Sequence, residues 1–356
     1  MSSTVYILRT NRESLIKAAG DNIAFLFKKS NLSSLIEKND FVALKIHFGE
    51  KGNDTHISPE LIRPIIDEIK KKDAKPFLTD TCVLYKSNRD NGVDHLLLAH
   101  DHGFTIERVG APVIIADGLI GRMETNVKID GQIFKSVAIS PIALEANTMI
   151  VISHVTGHMA TGIGGAIKNI GMGLASRRGK LRQHSLTKPA INRKKCTGCG
   201  ICLKYCPEDA IYMKEEKALI DSKKCIGCGE CLTVCRHGGV KFDWKMEENH
   251  LQKMMAEHAL GVTVEKRGKI GFINFIVSVT KDCDCLGKKQ KPIIDDIGVL
   301  ASTDPVAIDA ASLDLIKEAA GRPLSELTYP NIDPWTQIRH GEKIGLGEQH
   351  YRLIEI

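Results

Sequence analysis

Short apolar runs rich in β-branched residues recur through the first half of this chain, each bounded by polar or turn-forming residues. Such runs are typical of strands buried on both faces of a sheet. Apolar residues at helical spacing lie between them. The pattern predicts strands over Thr4–Arg9, Phe41–Phe48, Pro76–Asp80, Pro112–Ala116 and Thr148–His154, and helices over Arg12–Lys29, Pro59–Lys72 and Val93–His102.

The same alternation returns after residue 240. It predicts a helix over Lys245–Leu260, a strand over Lys269–Thr280 and a helix over Asp304–Ala319, with Asp304 as its N-cap. Strands that alternate with helices form βαβ units, so the fold class is α/β with a mostly parallel sheet. From Gly321 onwards, glycine and proline predict a peripheral C-terminal stretch.

A cysteine-rich segment of a different pattern interrupts this alternation. Two cysteine sets both read C-x₂-C-x₂-C-x₃-C, and each cysteine of the second set lies 29 residues after its counterpart. This is the spacing of a ferredoxin that holds two [4Fe–4S] clusters. Two alternatives are disfavoured. Disulfide scaffolds belong to short secreted domains, and zinc sites pair C-x₂-C units across a longer gap. The sets are Cys196, Cys199, Cys202 and Cys206, and then Cys225, Cys228, Cys231 and Cys235.

The spacing also predicts which thiolates share a cluster. Three cysteines of one set surround a cluster, and the fourth ligates the other cluster. One cluster is therefore assigned to Cys196, Cys199, Cys202 and Cys235, and the other to Cys225, Cys228, Cys231 and Cys206. Glycines between the ligands, Gly198, Gly200, Gly227 and Gly229, permit positive φ angles there.

The cysteine-rich segment is predicted to be an insertion. Residues 191–240 would form a ferredoxin-like α+β module, and residues 1–190 and 241–356 would together build one discontinuous α/β domain. In the second cysteine set Arg236 stands where the first set has Pro207, which puts a cation beside one cluster.

Composition excludes little beyond membrane-spanning proteins. Apolar residues are 43% and charged residues 26% of 356 residues, which is ordinary for a globular protein. No apolar run reaches the roughly 18–20 residues of a membrane span. The N-terminal sequence lacks the pattern of a signal peptide. A cytoplasmic protein is therefore expected.

The formal net charge is +6, and much of the excess lies in Arg177–Lys195. A solvated linker is the favoured interpretation of this basic stretch. The alternative is a docking site for an acidic electron carrier or an anionic substrate. Nucleic acid is disfavoured, since no aromatic residues are interleaved with the cations.

A glycine-rich loop follows the strand that ends at His154. His158, Gly162, Gly164, Gly165 and Lys168 succeed one another in SHVTGHMATGIGGAIKN. A strand, a glycine-rich turn and a helix start can bind an anion through exposed N–H groups and the helix dipole. Lys168 adds a point charge or a nucleophile. A purely structural turn remains the alternative.

Three further groups are candidates for chemistry. His47 and Lys45 share one face of a strand and are expected at the same sheet edge as His158. Cys283 and Cys285 are placed on one face of an extended chain, as a metal-ligand pair, a redox pair, a contact to the clusters or plain buried residues. Asp309 lies in an apolar helix and needs a partner, for which a site lysine is one choice. Cys82 is expected to be buried and inert.

Four segments carry a resemblance to a known family. The chain resembles the DUF362 family, iron–sulfur proteins of poorly defined function, over nearly its whole length. The resemblance implies an α/β domain fused to a ferredoxin and an oxidoreductase role. The segments are KIHFGEKGNDTHISPELIRP (45–64), GHMATGIGGAIKN (157–169), VTKDCDCLG (279–287) and STDPVAIDA (302–310).

The glycine-rich loop is also similar to a loop of nickel-pincer lactate racemases. In that family the residue matching Lys168 carries a tethered cofactor, and the residue matching His158 serves in the site. Asp54 and Thr55 resemble an acid-Thr pair there, but His56 replaces the adjacent arginine. The resemblance implies that Lys168 and His158 are candidate site residues. We do not infer a nickel site from it.

The favoured function is an iron–sulfur oxidoreductase or oxidoreductase subunit. Two [4Fe–4S] clusters would exchange electrons with a ferredoxin- or flavodoxin-class partner protein. They would serve a substrate, a small anion, or a further cofactor or metal bound near His47, His158, Lys168 and the pair Cys283 and Cys285. The alternatives are a non-catalytic electron carrier and a redox-sensing regulator.

Overall fold

The computed structural model describes residues 3–18, 21–184, 188–225, 229–241, 248–266 and 268–356. Its strands are β1 (Ser3–Arg9), β2 (Phe41–Ile46), β3 (Lys75–Asp80), β4 (Val113–Ile115), β5 (Thr125–Lys128), β6 (Ser136–Ile139), β7 (Thr148–His154), β8 (Thr156–His158), β9 (Gly162–Gly164), β10 (Ala190–Ile191), β11 (Ile211–Lys214), β12 (Lys217–Ile220), β13 (Val240–Lys241), β14 (Ile270–Ile276), β15 (Gly298–Ser302) and β16 (Tyr351–Glu355). Its helices are α1 (Arg12–Lys17), α2 (Asp21–Lys29), α3 (Arg63–Lys70), α4 (Gly92–Asp101), α5 (Ile106–Val109), α6 (Pro141–Glu145), α7 (Ala166–Gly171), α8 (Arg177–His184), α9 (Ile201–Lys204), α10 (Glu230–Val234), α11 (Glu248–Lys266), α12 (Pro305–Ala320), α13 (Leu324–Leu327) and α14 (Trp335–Lys343).

An eight-stranded sheet forms the centre of the fold, in the order β16-β1-β15-β14-β7-β2-β3-β4. Strand β15 is antiparallel to both neighbours, and the other adjacent pairs are parallel. The predicted α/β class with a mostly parallel sheet is confirmed. Strands β14, β7, β2 and β3 all run in one direction, so their carboxyl ends meet at one edge, where α/β sheets bind ligands.

The two faces of the sheet are covered by separate hydrophobic cores. Helices α7, α11 and α12 cover one face, with Ile167, Met255 and Ile308 fully buried. Helices α2 and α3 cover the other, with Phe27 and Ile66 fully buried. Burial on both faces explains the continuous apolar runs of β7 and β14, since neither face of these strands meets water.

Several predicted elements differ from the observed ones. The helix predicted over Arg12–Lys29 is two helices, α1 and α2, and the strand predicted over Lys269–Thr280 ends at Ile276. The stretch from Gly321 is not peripheral, because α14 packs against α11 and β16 pairs with β1. Proline and glycine mark the ends of its short elements rather than the absence of structure.

The cysteine-rich segment has small elements of its own. Strand β10 pairs with β13, β11 pairs with β12, and each of α9 and α10 starts after a glycine with positive φ. Helix α10 contacts α8, where the Gly229 backbone packs so closely on Leu181 that a Cβ atom would overlap it. In the part of the chain that is described, no helix has the length and hydropathy that a membrane crossing requires.

Candidate functional site

A cavity of about 300 Å³ opens at the carboxyl ends of the parallel strands. It brings together candidate site residues that lie far apart in the sequence. His47 follows β2, His158 and Lys168 flank the glycine-rich loop, and Cys283 and Cys285 lie on the connection after β14. Apolar walls with a few converging polar groups are typical of a small-molecule site.

The cavity has an excess of positive charge. Lys45 is fully buried, pairs with Asp80 at 3.0 Å and donates to the Asn169 side chain at 2.7 Å. Arg89 is also buried and pairs with Glu50 at 3.1 Å. The lining contains Lys45, Arg89, Lys168 and Lys180 against the carboxylates Asp80 and Asp284. This balance favours an anionic ligand.

Two histidines face the cavity as neutral hydrogen-bond donors. Nδ1 of His47 accepts from the Gly49 N–H at 2.8 Å, and Nδ1 of His158 accepts from Ala160 and Thr161 at 3.1 Å. Burial, with nearby cations, holds the pKa of His47 and of His158 well below the usual value. Because Nδ1 is an acceptor, the ring proton sits on Nε2. In His47 this buried Nε2 has no hydrogen-bond partner among the described residues, which leaves a donor for a ligand.

Lys168 has no ion-pair partner among the described residues, unlike Lys45 and Arg89. Among the described residues no side chain or carbonyl accepts a hydrogen bond from it. Burial, followed by the charges of Arg89 and Lys45, lowers the pKa of Lys168 to about 8. The amine is therefore mostly charged at pH 7 and titrates within an accessible pH range, so it can bind an anion or exchange a proton.

The backbone of the glycine-rich loop has a different role from the predicted one. The first two N–H groups of α7, from Ala166 and Ile167, donate to the carboxylate of Asp309 at 2.7 and 2.9 Å. These groups are thus not available to an external anion, and the partner of Asp309 is this helix start rather than a site lysine. A Cβ at Gly165 would lie 2.4 Å from the carboxylate. Gly164 and Gly165 line the cavity, and Gly162 has positive φ and packs on Pro334.

The cysteine pair lies in a turn and not on an extended strand. Cys283 and Cys285 are joined by a disulfide, and Cys283 is buried. Both neighbouring acids are paired: Asp282 accepts from Lys288 at 2.7 Å, and Asp284 lies 2.7 Å from Nδ1 of His154. Neither of these two flanking acids therefore presents an unpaired charge to the cysteines.

His154 is a positioning residue at this edge. Its Nδ1 bonds to Asp284 and its Nε2 contacts the Val277 carbonyl at 2.9 Å. Burial opposes protonation, but the Asp284 carboxylate raises the pKa of His154 above its usual value. The pair fixes the chain that carries the two cysteines.

The sequence did not reveal three residues of the cavity. Arg89, Lys180 and His184 line it, although the last two fall in or beside the stretch interpreted as a solvated linker. That interpretation is wrong for residues 177–184, which form α8 with Arg177 and Lys180 buried. Lys180 donates to the Ala175 carbonyl at 2.7 Å and to Thr81. The small residues Gly179 and Ser176 were the available signal for close packing here.

The cysteines of the two motifs are brought together in the crossed pattern. Cys196, Cys199, Cys202 and Cys235 line one small cavity. Cys206, Cys225 and Cys231 line another, and Cys228 lies outside the described residues, as does Gly227. The Ala210 N–H donates to sulfur of Cys206 and the Gly239 N–H to sulfur of Cys235, both at 3.2 Å. Thiols grouped in an apolar cavity with N–H donors aimed at sulfur fit an iron–sulfur cluster.

A match to one protein-family model shows which family the chain belongs to. Residues 42–314 match the model described as "Domain of unknown function (DUF362)". This chain is a member of the DUF362 family. The match includes most of the central sheet and the cysteine-rich segment, so the resemblance stated from the sequence is confirmed at the level of the family.

The DUF362 protein also shares short stretches with curated oxidoreductase subunits. Over 29 residues it is 59% identical to ketoisovalerate oxidoreductase subunit VorD of Pyrococcus furiosus, which is 8% of this chain and 28% of that protein. Identity to pyruvate synthase subunit PorD of the same organism is 59% over 29 residues, again 8% and 28%. The chain thus spans little more than a quarter of the length of these relatives.

Two solved structures are similar to the DUF362 protein. The lactate racemase apoprotein of Thermoanaerobacterium thermosaccharolyticum has a TM-score of 0.48 at 13% identity, over 90% of this chain and 58% of that one. A protein from Thermotoga maritima has a TM-score of 0.42 at 8% identity, over 83% of this chain and 58% of that one.

Proposed function

We propose that this DUF362 protein is an iron–sulfur oxidoreductase or oxidoreductase subunit that acts on a small anion. In this proposal one [4Fe–4S] cluster is held by Cys196, Cys199, Cys202 and Cys235, and the other by Cys206, Cys225, Cys228 and Cys231. When bound, the clusters supply one-electron transfer. The short matches to oxidoreductase subunits support an iron–sulfur electron carrier in general terms.

One observation carries the proposal further than a bare carrier. The cationic cavity adjoins the cysteine-rich segment: Leu84 and Tyr85 line both the cavity and a groove that reaches Cys235. Leu84 also packs with Leu181 and with Leu232, which stands between two cysteines of the second motif. A small molecule bound in the cavity would therefore be separated from the cysteines of the cluster motifs by packed side chains.

The residues of this chain can bind and orient the anion. Lys168 would provide the main charge, because Lys45 and Arg89 already have carboxylate partners. His47 and His158 would donate hydrogen bonds from Nε2. The apolar wall around them excludes water, which strengthens each of these interactions.

Reoxidation of the reduced protein tests this function. Anaerobically reduced protein is mixed with small carboxylates, phosphate esters and other oxidised anions, and the cluster absorbance is followed. We expect one class of anion to restore the absorbance, and Lys168→Ala to slow this by about a hundredfold or more, since a buried charged contact is removed. Lys317→Ala, at an exposed lysine on α12 outside the cavity, is the matched control.

The same experiment has a defined pH dependence. Because the pKa of Lys168 lies at about 8, its charge is present below that pH and lost above it. Anion affinity should fall as pH rises through 8, and Lys168→Arg should keep affinity at pH 9. Affinity that stays constant up to pH 10 in the unmodified protein would remove Lys168 from the binding site.

The electron partner is proposed to be a small acidic protein of the ferredoxin or flavodoxin class. Among the described residues, seven cations and the single acid Asp90 line a groove of about 1080 Å³ beside Cys235. The cations are Lys86, Arg122, Arg177, Lys195, Lys204, Arg236 and Lys241. Surface charge of one sign steers a partner of opposite charge and gives salt-sensitive association.

Charge reversal in this groove should weaken the complex. Lys204→Glu with Arg236→Glu should reduce the association rate of an acidic flavodoxin by about tenfold at low salt, with the difference shrinking as salt is added. Stopped-flow electron transfer gives the rate, and iron content confirms intact clusters. The control is Lys70→Glu with Lys317→Glu, two exposed lysines outside the groove; an equal loss in the control would exclude this docking site.

The second candidate is a non-catalytic electron carrier. The curated relatives support it, since each is a subunit of an oxidoreductase and the match spans only 29 residues, 8% of this chain. If no small anion reoxidises the clusters while a partner ferredoxin does so rapidly, the carrier function replaces the first proposal.

A further inference from the structure

The disulfide of Cys283 and Cys285 lies on the cavity wall and not in the hydrophobic core. Cys283 is 7% exposed, and Cys285 is intermediate. Gly164 separates Cys283 from Lys168: a Cβ on this glycine would lie 3.9 Å from Cβ of Cys283 and 3.8 Å from Cδ of Lys168. The pair thus faces the same space as the cation that has no carboxylate partner.

His158 lies near both sulfur atoms of the disulfide. One of its ring nitrogens lies within 4.8 Å of each sulfur. Since Nδ1 accepts from two backbone N–H groups, the nitrogen that remains for the sulfurs is Nε2, which carries the proton. A protonated Nε2 can donate a hydrogen bond to a thiolate.

This hydrogen-bond pattern argues against a metal ion on the three side chains. A histidine that ligates a metal through Nε2 normally donates its Nδ1–H to a carboxylate or carbonyl. Here Nδ1 meets two donors, so ligation through Nε2 would require the ring to be an imidazolate. The cluster of His158, Cys283 and Cys285 is therefore better suited to thiol chemistry.

The charge around the pair also favours a thiolate. Asp282 is paired with Lys288 and Asp284 with His154, at 2.7 Å each, and Lys168 contributes an ammonium with no ion-pair partner among the described residues. Thiolates are stabilised next to cations and hydrogen-bond donors. Burial lowers the pKa of Lys168 to about 8, so this ammonium can release a proton near neutral pH.

A packed connection joins the pair to the cysteine-rich segment. The Tyr85 hydroxyl donates to the Cys285 carbonyl at 3.3 Å, and the adjacent Leu84 packs with Leu232. Leu232 follows Cys231 directly in α10. The disulfide and the predicted cluster ligands are thus separated by a short series of contacting residues.

We propose that Cys283 and Cys285 form a redox-active pair that stores two electrons beside the ligand cavity. The inference rests on the proposed function, because the reductant is a low-potential one-electron iron–sulfur donor. Reduction breaks the S–S bond, takes up two electrons and two protons, and leaves two thiols, while two donor equivalents are each oxidised by one electron. Lys168 supplies one of the protons and recovers it from solvent, and the other proton comes directly from solvent.

Alkylation after reduction by a protein donor tests the pair. Reduced bacterial ferredoxin is used as the reductant, because a protein cannot enter a cavity of about 300 Å³. The protein is treated anaerobically, alkylated with iodoacetamide in denaturant and digested with trypsin. The peptide of residues 282–288 contains both cysteines and no others. We expect no carbamidomethyl groups on this peptide before reduction and two after it.

A redox titration gives an independent measure. The unmodified protein should take up about two more electrons per chain than the Cys283→Ser and Cys285→Ser double variant, as expected for one disulfide. A variant with Cys206→Ala and Cys235→Ala should keep the pair oxidised in the presence of ferredoxin, and dithiothreitol should still reduce it.

The outcomes separate this inference from the proposed function. Clusters that become reduced while the peptide stays unlabelled would overturn the inference alone. Two carbamidomethyl groups on this peptide before any reductant is added would overturn the inference as well. So would zinc bound by Cys283 and Cys285 in the purified protein. Iron-free protein would overturn both the inference and the proposed function.

Discussion

Cys206→Ala is expected to remove about four of about eight iron atoms per chain, all from the cluster assigned to Cys225, Cys228 and Cys231. Cys206 belongs to the first cysteine motif in the sequence but shares a cavity with Cys225 and Cys231. Alanine offers no ligand, so a cubane would lose one of its four iron–sulfur bonds to the protein. Iron and sulfide analysis with EPR of the reduced protein measures the loss.

Cys235→Ala should give the reciprocal result, the loss of the cluster at Cys196, Cys199 and Cys202. Cys82→Ala is the matched control, since this cysteine is buried and burial raises the pKa of its thiol. Iron should be unchanged there. If Cys206→Ala spared the cluster of the second motif and removed that of the first, the crossed assignment would be wrong.

Asp309→Ala is expected to lower the free energy of unfolding by about 3–5 kcal/mol. Asp309 is fully buried and accepts from the Ala166 and Ile167 N–H groups and from the Asn274 side chain at 2.8 Å. Removing the carboxylate leaves three buried donors without their acceptor. The midpoint of anaerobic denaturant unfolding, followed by circular dichroism, measures the change.

Asp304→Ala provides the control for this effect. Asp304 caps the same helix, α12, and accepts from Val306 and Ala307 at 2.8 and 3.0 Å. Asp304 also accepts from the Ser3 hydroxyl and the Glu348 N–H, in contacts that are only part-buried or exposed. Its loss should therefore cost about 2 kcal/mol, less than the loss of Asp309. Equal midpoints would mean that water replaces the Asp309 carboxylate and that the start of α7 is not held by it.

The elements with the clearest local pattern were predictable from the sequence. Strand β7 was predicted with its observed bounds, because every residue in it is apolar or small until His154. The N-cap role of Asp304 and the burial of Cys82 were predicted as well. In these cases the neighbours in sequence determine the environment.

The interactions that define the cavity depend on distant parts of the chain. Asp309 bonds to residues more than 140 positions away, and no local pattern indicates that partner. The edge strand β16 has no buried residue and no alternating pattern, and it was missed because only its pairing with β1 makes it a strand. Lys180 was missed because a basic stretch is usually solvated, and its burial depends on how α8 packs.

The sheet order places β7 next to β14, although the whole cysteine-rich segment lies between them in the chain. During synthesis β7 therefore stays without this neighbour until the cysteine-rich segment and then β14 have left the ribosome. Contacts between such distant residues form slowly. Until β14 has been synthesised, β7 therefore exposes an unpaired edge in the middle of the unfinished sheet, which makes the nascent chain prone to aggregation.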